Sequence, residues 1–391
     1  MSLSIALSQI WNKIYTTPVR NKSEHKKYLK RINLLARLPE NKKHENVVLL
    51  IRTDDIGDYL LFRNTLKIYK EFADKVDSKL VLVGNQTWKI VFEKYDTNEV
   101  DEVIWLDKIK YEKVDSYFEN FNKQIYAIKP THTFVSAFAR SLYLEDMIAL
   151  ASGAKSRIAW DKTEQKYPIW QKYFVNAAYI EVLKPSKNMQ HESQLNHEFA
   201  CRVSHHFTKY FIPEIPMENI PKKNNSVVIF PSAVSSQKRW PATNFIALCN
   251  YLIDSKNFDI IINGSEGDDK LIKQILKGIK NKSKVNNNCG NTLLNLMDEI
   301  STCKFLVSND NSAAHIGAIT KTTTFVLLNG NAFGRFFPYP EEVENVYPIY
   351  TKFFYNVLKK KGKAMLYNWK SASDIQKLKV DTVIKEIDKY V

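Results

Sequence analysis

The feature that most constrains this chain is a pattern that stops and then starts again. Short apolar runs alternate with amphipathic helical stretches, give way to a Lys-, Asn- and Pro-containing segment over residues 213–225, and then resume. Strands alternating with helices at this spacing predict parallel sheets covered by helices, and the restart predicts two of them. The length of 391 residues fits that division, because single cores stop growing well below it. Hydrophobic residues make up 44% of the chain, enough to fill two interiors. No repeat of solenoid period competes with this reading.

In the first half the spacing predicts strands at residues 47–51, 80–83, 103–106 and 157–160. A helix is expected over 134–153, with Ala137, Leu142, Leu144, Met147 and Leu150 as core positions. Residues 1–46 form a basic, mostly helical extension in which Tyr28, Ile32 and Leu35 recur at helical spacing among Lys26, Lys27, Lys30, Arg31 and Arg37. Such a helix can pack on the first domain, lie on an anionic membrane surface, or do both. In the second half strands are expected at 226–230, 258–262, 305–308 and 323–328. Helices are expected at 244–253, 268–279, 293–300, 312–319 and 380–390. The expected division is an extension 1–46, a first Rossmann-like domain 47–220, a second 221–372, and a closing helix within 373–391.

Charge narrows the partners. Lys and Arg number 57 against 42 Asp and Glu, a formal net charge of +15, which favours phosphorylated sugars, anionic headgroups or nucleic acid. Nucleic acid is disfavoured because no helix-turn-helix, zinc-finger or single-strand-binding signature is present. Cys201, Cys249, Cys289 and Cys303 are widely spaced, form no CxxC pair, and read as buried thiols of a reducing compartment without zinc. No apolar run approaches the roughly 20 residues that span a bilayer, and no signal-peptide pattern opens the chain. A cytoplasmic location is therefore expected, with peripheral attachment to the inner membrane's cytoplasmic face as an extension of that reading.

The polar loops that follow the strands carry the chemistry. After 305–308, Asn309, Asp310 and Asn311 lead into a helix starting at Ser312 and running through His315. Open α/β sheets bind ligands at the carboxyl ends of their strands, and a helix start there suits a diphosphate. Asp310 suits sugar hydroxyls better than phosphate, although Asx residues in this position also serve simply as helix caps. After 226–230 come Pro231, Ser232 and Ala233, then Ser235, Ser236, Gln237, Lys238, Arg239, Trp240 and Pro241. A Lys at that edge can neutralise a leaving diphosphate without metal. Glu266, after Gly264 and Ser265, can hold ribose hydroxyls or belong to a capping sequence. In the first half Asp54, Asp55 and Asp58 follow the first strand, where one of them can deprotonate an acceptor hydroxyl or stabilise a helix start.

Taken together these segments resemble the ADP-heptose:lipopolysaccharide heptosyltransferases, glycosyltransferase family 9. The resemblance rests on Asp55-Ile56-Gly57-Asp58, on Phe230-Pro231 with Lys238-Arg239-Trp240-Pro241, and on Asn309-Asp310-Asn311-Ser312-Ala313-Ala314-His315, and runs in order from about residue 47 to 390. It implies a GT-B fold, two Rossmann-like domains facing across a cleft with the last helix crossing back to the first. It also implies inverting, metal-independent transfer of a heptose-like sugar from a nucleotide diphosphate, ADP-heptose, to a lipopolysaccharide- or lipooligosaccharide-type acceptor, with no cofactor. By the same resemblance Asp58 is the base, with Asp55 and Gly57 on the acceptor side. Lys238 is the diphosphate ligand and a catalytic group, helped by Ser235 and Ser236. Glu266 meets the ribose, Asp310 the donor sugar, and Asn311, Ser312 and His315 complete the donor turn. Ser232, Asn311 and Ser312 depart from the family pattern, with Ser232 and Ser312 replacing family glycines. Two other readings stay open at this stage: a non-catalytic GT-B binding module and a nucleic-acid-binding protein. Basic segments around Lys26–Arg31 and Lys359-Lys360-Lys361 are the places where an anionic acceptor or membrane would be drawn.

Overall fold

The computed structural model describes residues 22–39, 43–162, 171, 174–215, 224–233, 235–371 and 373–391. The chain divides into two compact units. The first comprises the chain to Ser186 together with Gln194–Phe211, and the second comprises Lys187–Ser193 with Ile212–Val391.

In the first unit the strands are β1 (Glu45–Arg52), β2 (Lys79–Asn85), β3 (Glu102–Leu106), β4 (Pro130–Val135), β5 (Ser156–Trp160) and β6 (Glu181–Leu183). Its helices are α1 (Lys22–Leu35), α2 (Ile56–Phe62), α3 (Leu66–Lys75), α4 (Lys89–Tyr95), α5 (Lys108–Lys113), α6 (Asp115–Ile128), α7 (Glu145–Ser152) and most of α8 (Glu192–Ser204). All strand pairs are parallel, in the order β3-β2-β1-β4-β5-β6. Central position explains the composition of β1: Val48 to Ile51 are buried on both faces, so the run is continuously apolar instead of alternating.

The second unit repeats the plan with β7 (Ser226–Phe230), β8 (Asp259–Ile262), β9 (Val285–Asn287), β10 (Phe305–Asn309), β11 (Thr324–Leu328) and β12 (Val346–Tyr350). Its helices are α9 (Ala242–Asp254), α10 (Asp269–Gly278), α11 (Leu293–Thr302), α12 (Ser312–Ile319), α13 (Lys352–Lys361), α14 (Lys363–Leu366) and α15 (Val380–Ile387). The order is β12-β11-β10-β7-β8-β9, again parallel throughout. In each sheet the first and fourth strands of the unit are neighbours, and the chain winds away from them in opposite directions. That topological switch lies between β1 and β4, and between β7 and β10. Loops leaving the carboxyl ends of these strands part there and leave a crevice for a ligand. Two Rossmann-like units of this kind make up the GT-B fold.

Several expectations need correction. The helix expected over 134–153 begins only at Glu145, because Phe134 and Val135 complete β4, paired with Leu50 and Ile51. Ala137, Leu142 and Leu144 are buried as expected, but in the irregular segment before the helix. The closing helix α15 is counted with the second unit. Val383 and Ile387 of α15 join the second core beside Leu252 and Ile253 of α9, because that is where its apolar face finds cover. The boundary expected at 220/221 lies outside the described residues. The described flank already belongs to the second unit, since the Ile215 amide donates to the Ile319 carbonyl at 3.2 Å. Residues 187–193 were assigned to the first domain, yet the Glu192 carboxylate pairs with Arg335 at 2.7 Å and the Gln190 carbonyl accepts from the Tyr367 hydroxyl at 2.6 Å. Short polar contacts of this kind leave no hydrophobic period to read.

Helix α1 packs on the first unit: Tyr28, Ile32 and Leu35 are buried in its core, and the Arg31 guanidinium lies 3.8 Å over the Phe118 ring. Cys201, Cys249 and Cys303 are buried free thiols and Cys289 is partly exposed. Among the described residues no helix is long and apolar enough to cross a membrane.

Trp240 ties the loop after β7 to the rest of its unit. Its indole is fully buried, sits edge-on to Phe245 at 4.9 Å, and donates to the Leu378 carbonyl at 2.7 Å. Replacing it leaves a large cavity and removes the shorter of the two hydrogen bonds to the Leu378 carbonyl. Trp240→Ala is expected to destabilise the second unit by about 3–5 kcal/mol in equilibrium urea unfolding. A loss below about 1 kcal/mol would show that the indole is not the anchor of this loop.

Candidate active site

The second unit gathers most of the expected residues at its switch point. Two asparagine side chains join the loops leaving β7 and β10. Asn309 donates to the Pro231 carbonyl at 2.7 Å, and its oxygen accepts from the Trp240 amide at 3.3 Å. Asn311 donates to the Ser232 carbonyl at 2.7 Å while its oxygen accepts from the Ala313 amide at 2.8 Å and the Ser308 hydroxyl at 3.0 Å. Asn311 is thus a helix cap and a clamp in one side chain. Its oxygen and one of its N–H groups are engaged with protein, so it shapes the turn after β10.

This clamp sets Lys238 against Asp310. Lys238 ends a 3₁₀ turn, Ser236–Lys238, which is held from β11 by the Asn329 amide donating to the Gln237 carbonyl at 3.0 Å. The Lys238 ammonium lies 2.5 Å from the Asp310 carboxylate, with side chains 24% and 10% exposed. A cation and a carboxylate that keep a solvent-facing side can exchange each other for a ligand's phosphate and hydroxyls. Ser312 opens α12 beside them, half-buried, and Asn311 before it has extended backbone. Neither Ser312 nor Ser232 has a left-handed φ, so replacing a family glycine strains neither position. Glycine is required further along: a Cβ on Gly317 would stand 2.1 Å from Thr324 Oγ1, and its absence lets α12 lie close on β11.

The flanking loops add exposed polar groups. Ser235 and Ser236 are exposed next to Lys238. Glu266 follows β8, the strand next to β7, so its loop leaves the same sheet edge. The capping sequence around it is real: Ser265 and Asp268 form the reciprocal capping box. Glu266 takes no part in that box and remains exposed. Three loops from adjacent parallel strands therefore present a carboxylate, a cation and a second carboxylate along one edge.

His315 lies deeper. It is buried, shares a 2.6 Å hydrogen bond through Nδ1 with the Tyr339 hydroxyl, and stacks on Phe337 at 5.1 Å. On the other side of Tyr339, His191 bonds the Phe336 carbonyl at 2.9 Å through Nε2. Burial, then His191 and Lys238, depress the His315 pKa to about 3, and burial depresses His191 to about 4. At neutral pH His315 is an uncharged hydrogen-bonding group below the ion pair, unable to neutralise a diphosphate.

In the first unit the turn after β1 is held rigidly from below. Arg52 is fully buried: Nε pairs with Asp54 at 2.7 Å, Nη1 donates to Asn196 at 2.7 Å, and Nη2 donates to the Asp58 carbonyl at 3.2 Å. The Asp54 carbonyl accepts from the Trp88 indole at 3.1 Å, and the Thr53 hydroxyl donates to Glu145 at 2.5 Å. Asp58 and Gly57 are half-buried in the first turn of α2, while Asp55 is exposed and pairs with Lys108 at 3.3 Å.

Sequence reasoning passed over Arg52, Asn196, His191, Glu192, Arg335 and Tyr339. Arg52 carried a signal, because an arginine closing a run as apolar as Val47 to Ile51 must be buried and paired. The others meet across more than a hundred residues of sequence or lie in segments without period.

The two histidines fix the sign of an acid effect. Their folded pKa values lie below the ordinary value near 6.5, so between about pH 6.5 and 4 the unfolded chain binds more protons than the fold. The stability they contribute is complete above pH 6.5 and falls as the pH drops through that window. In pH-resolved urea unfolding the His315→Gln variant is expected to lose stability less steeply below pH 6.5 than the parent chain. Equal slopes would mean that His315 is protonated in the fold.

The family model for glycosyltransferase family 9 (heptosyltransferase) matches residues 154–352, just over half of the chain. The match includes Lys238, Glu266 and the Asp310–His315 turn and stops short of Asp58. Lipooligosaccharide heptosyltransferase 2 of Campylobacter jejuni is 23% identical over 295 residues, covering 73% of this chain and 82% of that protein. The enzyme of the same name from Haemophilus ducreyi is 37% identical over 97 residues, 24% of this chain and 28% of its own length. Among solved structures, a family 9 glycosyltransferase from Veillonella parvula superposes with a TM-score of 0.65 at 15% identity, covering 89% of this chain and 98% of that one. The E. coli heptosyltransferase WaaC, solved with ADP-2-deoxy-2-fluoro heptose, gives 0.63 at 15% identity over 88% of this chain and 100% of its own. The structural likenesses establish the shared fold, and the family model establishes the lineage: this chain belongs to glycosyltransferase family 9, the heptosyltransferases.

Proposed function

We propose that this glycosyltransferase moves a heptose-like sugar from a nucleotide diphosphate donor, ADP-heptose, to a lipopolysaccharide- or lipooligosaccharide-type acceptor, with inversion and without a metal ion. The observation that carries the reading is the Lys238–Asp310 pair at the β7/β10 switch point, joined by the exposed Glu266 on the neighbouring loop. It is supported by the relatives, two lipooligosaccharide heptosyltransferases and an E. coli heptosyltransferase solved with ADP and with a fluorinated ADP-heptose.

In the proposed reaction an acceptor oxygen forms a bond to the anomeric carbon as the bond from that carbon to the diphosphate oxygen breaks. The bonding pair leaves with the diphosphate. Lys238 stabilises the charge that develops there, helped by the amides and dipole at the start of α12 and the hydroxyls of Ser235, Ser236 and Ser312. Asp310 moves from the ammonium to hydroxyls of the transferred sugar, and Glu266 holds the ribose. Asp58 takes the proton of the acceptor hydroxyl, while Arg52 beneath it holds the α2 start in place through the Asp58 carbonyl. Asp55 and Gly57 border the acceptor.

Two variants separate the roles. Asp58→Asn is expected to lower kcat by about 10²- to 10⁴-fold while ADP affinity by calorimetry stays within about twofold. Lys238→Ala is expected to weaken ADP binding by about tenfold or more, because a charge-assisted contact of about 1.5–3 kcal/mol is lost. Turnover at the parent rate in the first, or parent ADP affinity in the second, removes that residue from its role. Product analysis should show an inverted anomeric centre, with turnover insensitive to EDTA; dependence on added divalent cation would overturn the metal-free step.

A further inference from the structure

The second unit carries a stretch of unusual charge. From Asn345 to Ser373 the sequence contains six lysines, Lys352, Lys359, Lys360, Lys361, Lys363 and Lys370, and no Asp or Glu. All six are exposed, and none forms an ion pair with a described residue. Some exposed lysines elsewhere are paired, as in Lys30 with Asp115 and Lys321 with Glu214; what sets this stretch apart is six lysines with no acidic residue among them.

Large apolar side chains are exposed in the same stretch. Phe353 is 50% and Met365 68% exposed, high values for residues of a unit whose other helices bury such groups. Helical spacing places them among the lysines. On α13, Phe353 and Lys360 are seven residues apart and share a face, with Asn356 between them and Lys352 and Lys359 alongside. The opposite face holds Phe354, which is buried and packs on Phe333 and Tyr350. Past the break at Gly362, α14 adds Lys363 and Met365 and turns Leu366 inward. The element is anchored by one apolar face and presents the other, cationic with protruding apolar groups, to solvent.

We propose that the α13–α14 surface docks this protein on an anionic lipid bilayer. Uncompensated lysines meet the headgroups while Phe353 and Met365 enter the boundary with the acyl chains, the division of labour of an interfacial helix. A nucleic acid would also attract the lysines, but offers no apolar layer for a phenylalanine and a methionine to enter. The structure also ranks the two basic segments of the sequence. On α1, Arg31 is buried over Phe118, Lys30 pairs with Asp115, and Lys27 lies 5.4 Å over Tyr143, so its cations are largely engaged with the first unit. The proposal goes beyond the donor-site reading and does not use it.

The test is vesicle flotation of the full chain with phosphatidylcholine vesicles and with vesicles that also contain phosphatidylglycerol. Binding is expected only to the anionic vesicles and should fall as salt rises. Substituting Lys352, Lys359, Lys360, Lys361 and Lys363 together by Gln is expected to weaken that binding at least about tenfold. Phe353→Ser with Met365→Ser is expected to weaken it severalfold at fixed charge. Substituting Lys26 and Lys27 by Gln on α1 should change it less than about twofold. Thermal melting checks that each variant is folded. Parent-level binding by the five-lysine variant, equal binding to neutral vesicles, or binding to duplex DNA in place of vesicles overturns the proposal. ADP affinity, measured in parallel, is expected to be unchanged in the lysine variant; failure of the parent chain to bind ADP would sink the donor reading and leave the lipid surface standing.

Discussion

The candidate donor site depends on two carboxamides. A doubly wound sheet parts its loops at the switch point because the chain leaves the two central strands in opposite directions, and something must hold the parted loops at a fixed spacing. Here Asn309, at the end of β10, and Asn311, the cap of α12, do so, each donating to a backbone carbonyl of the loop after β7. An amide suits the task because it gives and receives hydrogen bonds at once and carries no charge to compete with a phosphate. With the two loops joined, Lys238 and Asp310 are neighbours by construction, and Trp240 extends the same support to the segment before the last helix.

The fold was legible where one physical rule dominated. The strands β1, β7, β10 and β11 are buried on both faces and have a neighbour on each side, so their apolar runs stand out and their bounds fall within a few residues of the expected ones. Of the four edge strands only β3 was legible. β6 and β9 are three residues each, and β12 contains Pro348, which an edge strand tolerates and a central one does not. The segment over 134–153 misled because residues such as Ala137 and Leu142 are apolar for burial in irregular backbone, which mimics helical spacing by chance.

The candidate site was legible as a set of residue types and much less so as a division of roles. Lys238, Asp310 and Glu266 could be placed on one sheet edge from strand order alone. That Asn311 works inward, as cap and clamp, depends on the Ser232 carbonyl nearly eighty positions away. That His315 is neutral depends on its burial and then on a histidine from a segment expected in the other domain. The family resemblance supplied roles that spacing could not, and it reached Asp58, which the family model itself does not cover.

The excursion of residues 187–193 into the second unit has a consequence for how the protein can be taken apart. The chain passes from the first unit to the second, back again, and over once more, so no single cut yields both units intact. A fragment starting at Ile212 would carry Arg335 without the Glu192 carboxylate that neutralises it, and breaking a buried ion pair by removing one partner costs about 3–5 kcal/mol. It would also lose His191, which packs on Tyr339, the residue that holds His315. The seven residues behave as a plug inherited from upstream, and a separable nucleotide-binding half must be built with that plug restored, either by circular permutation or as a split pair.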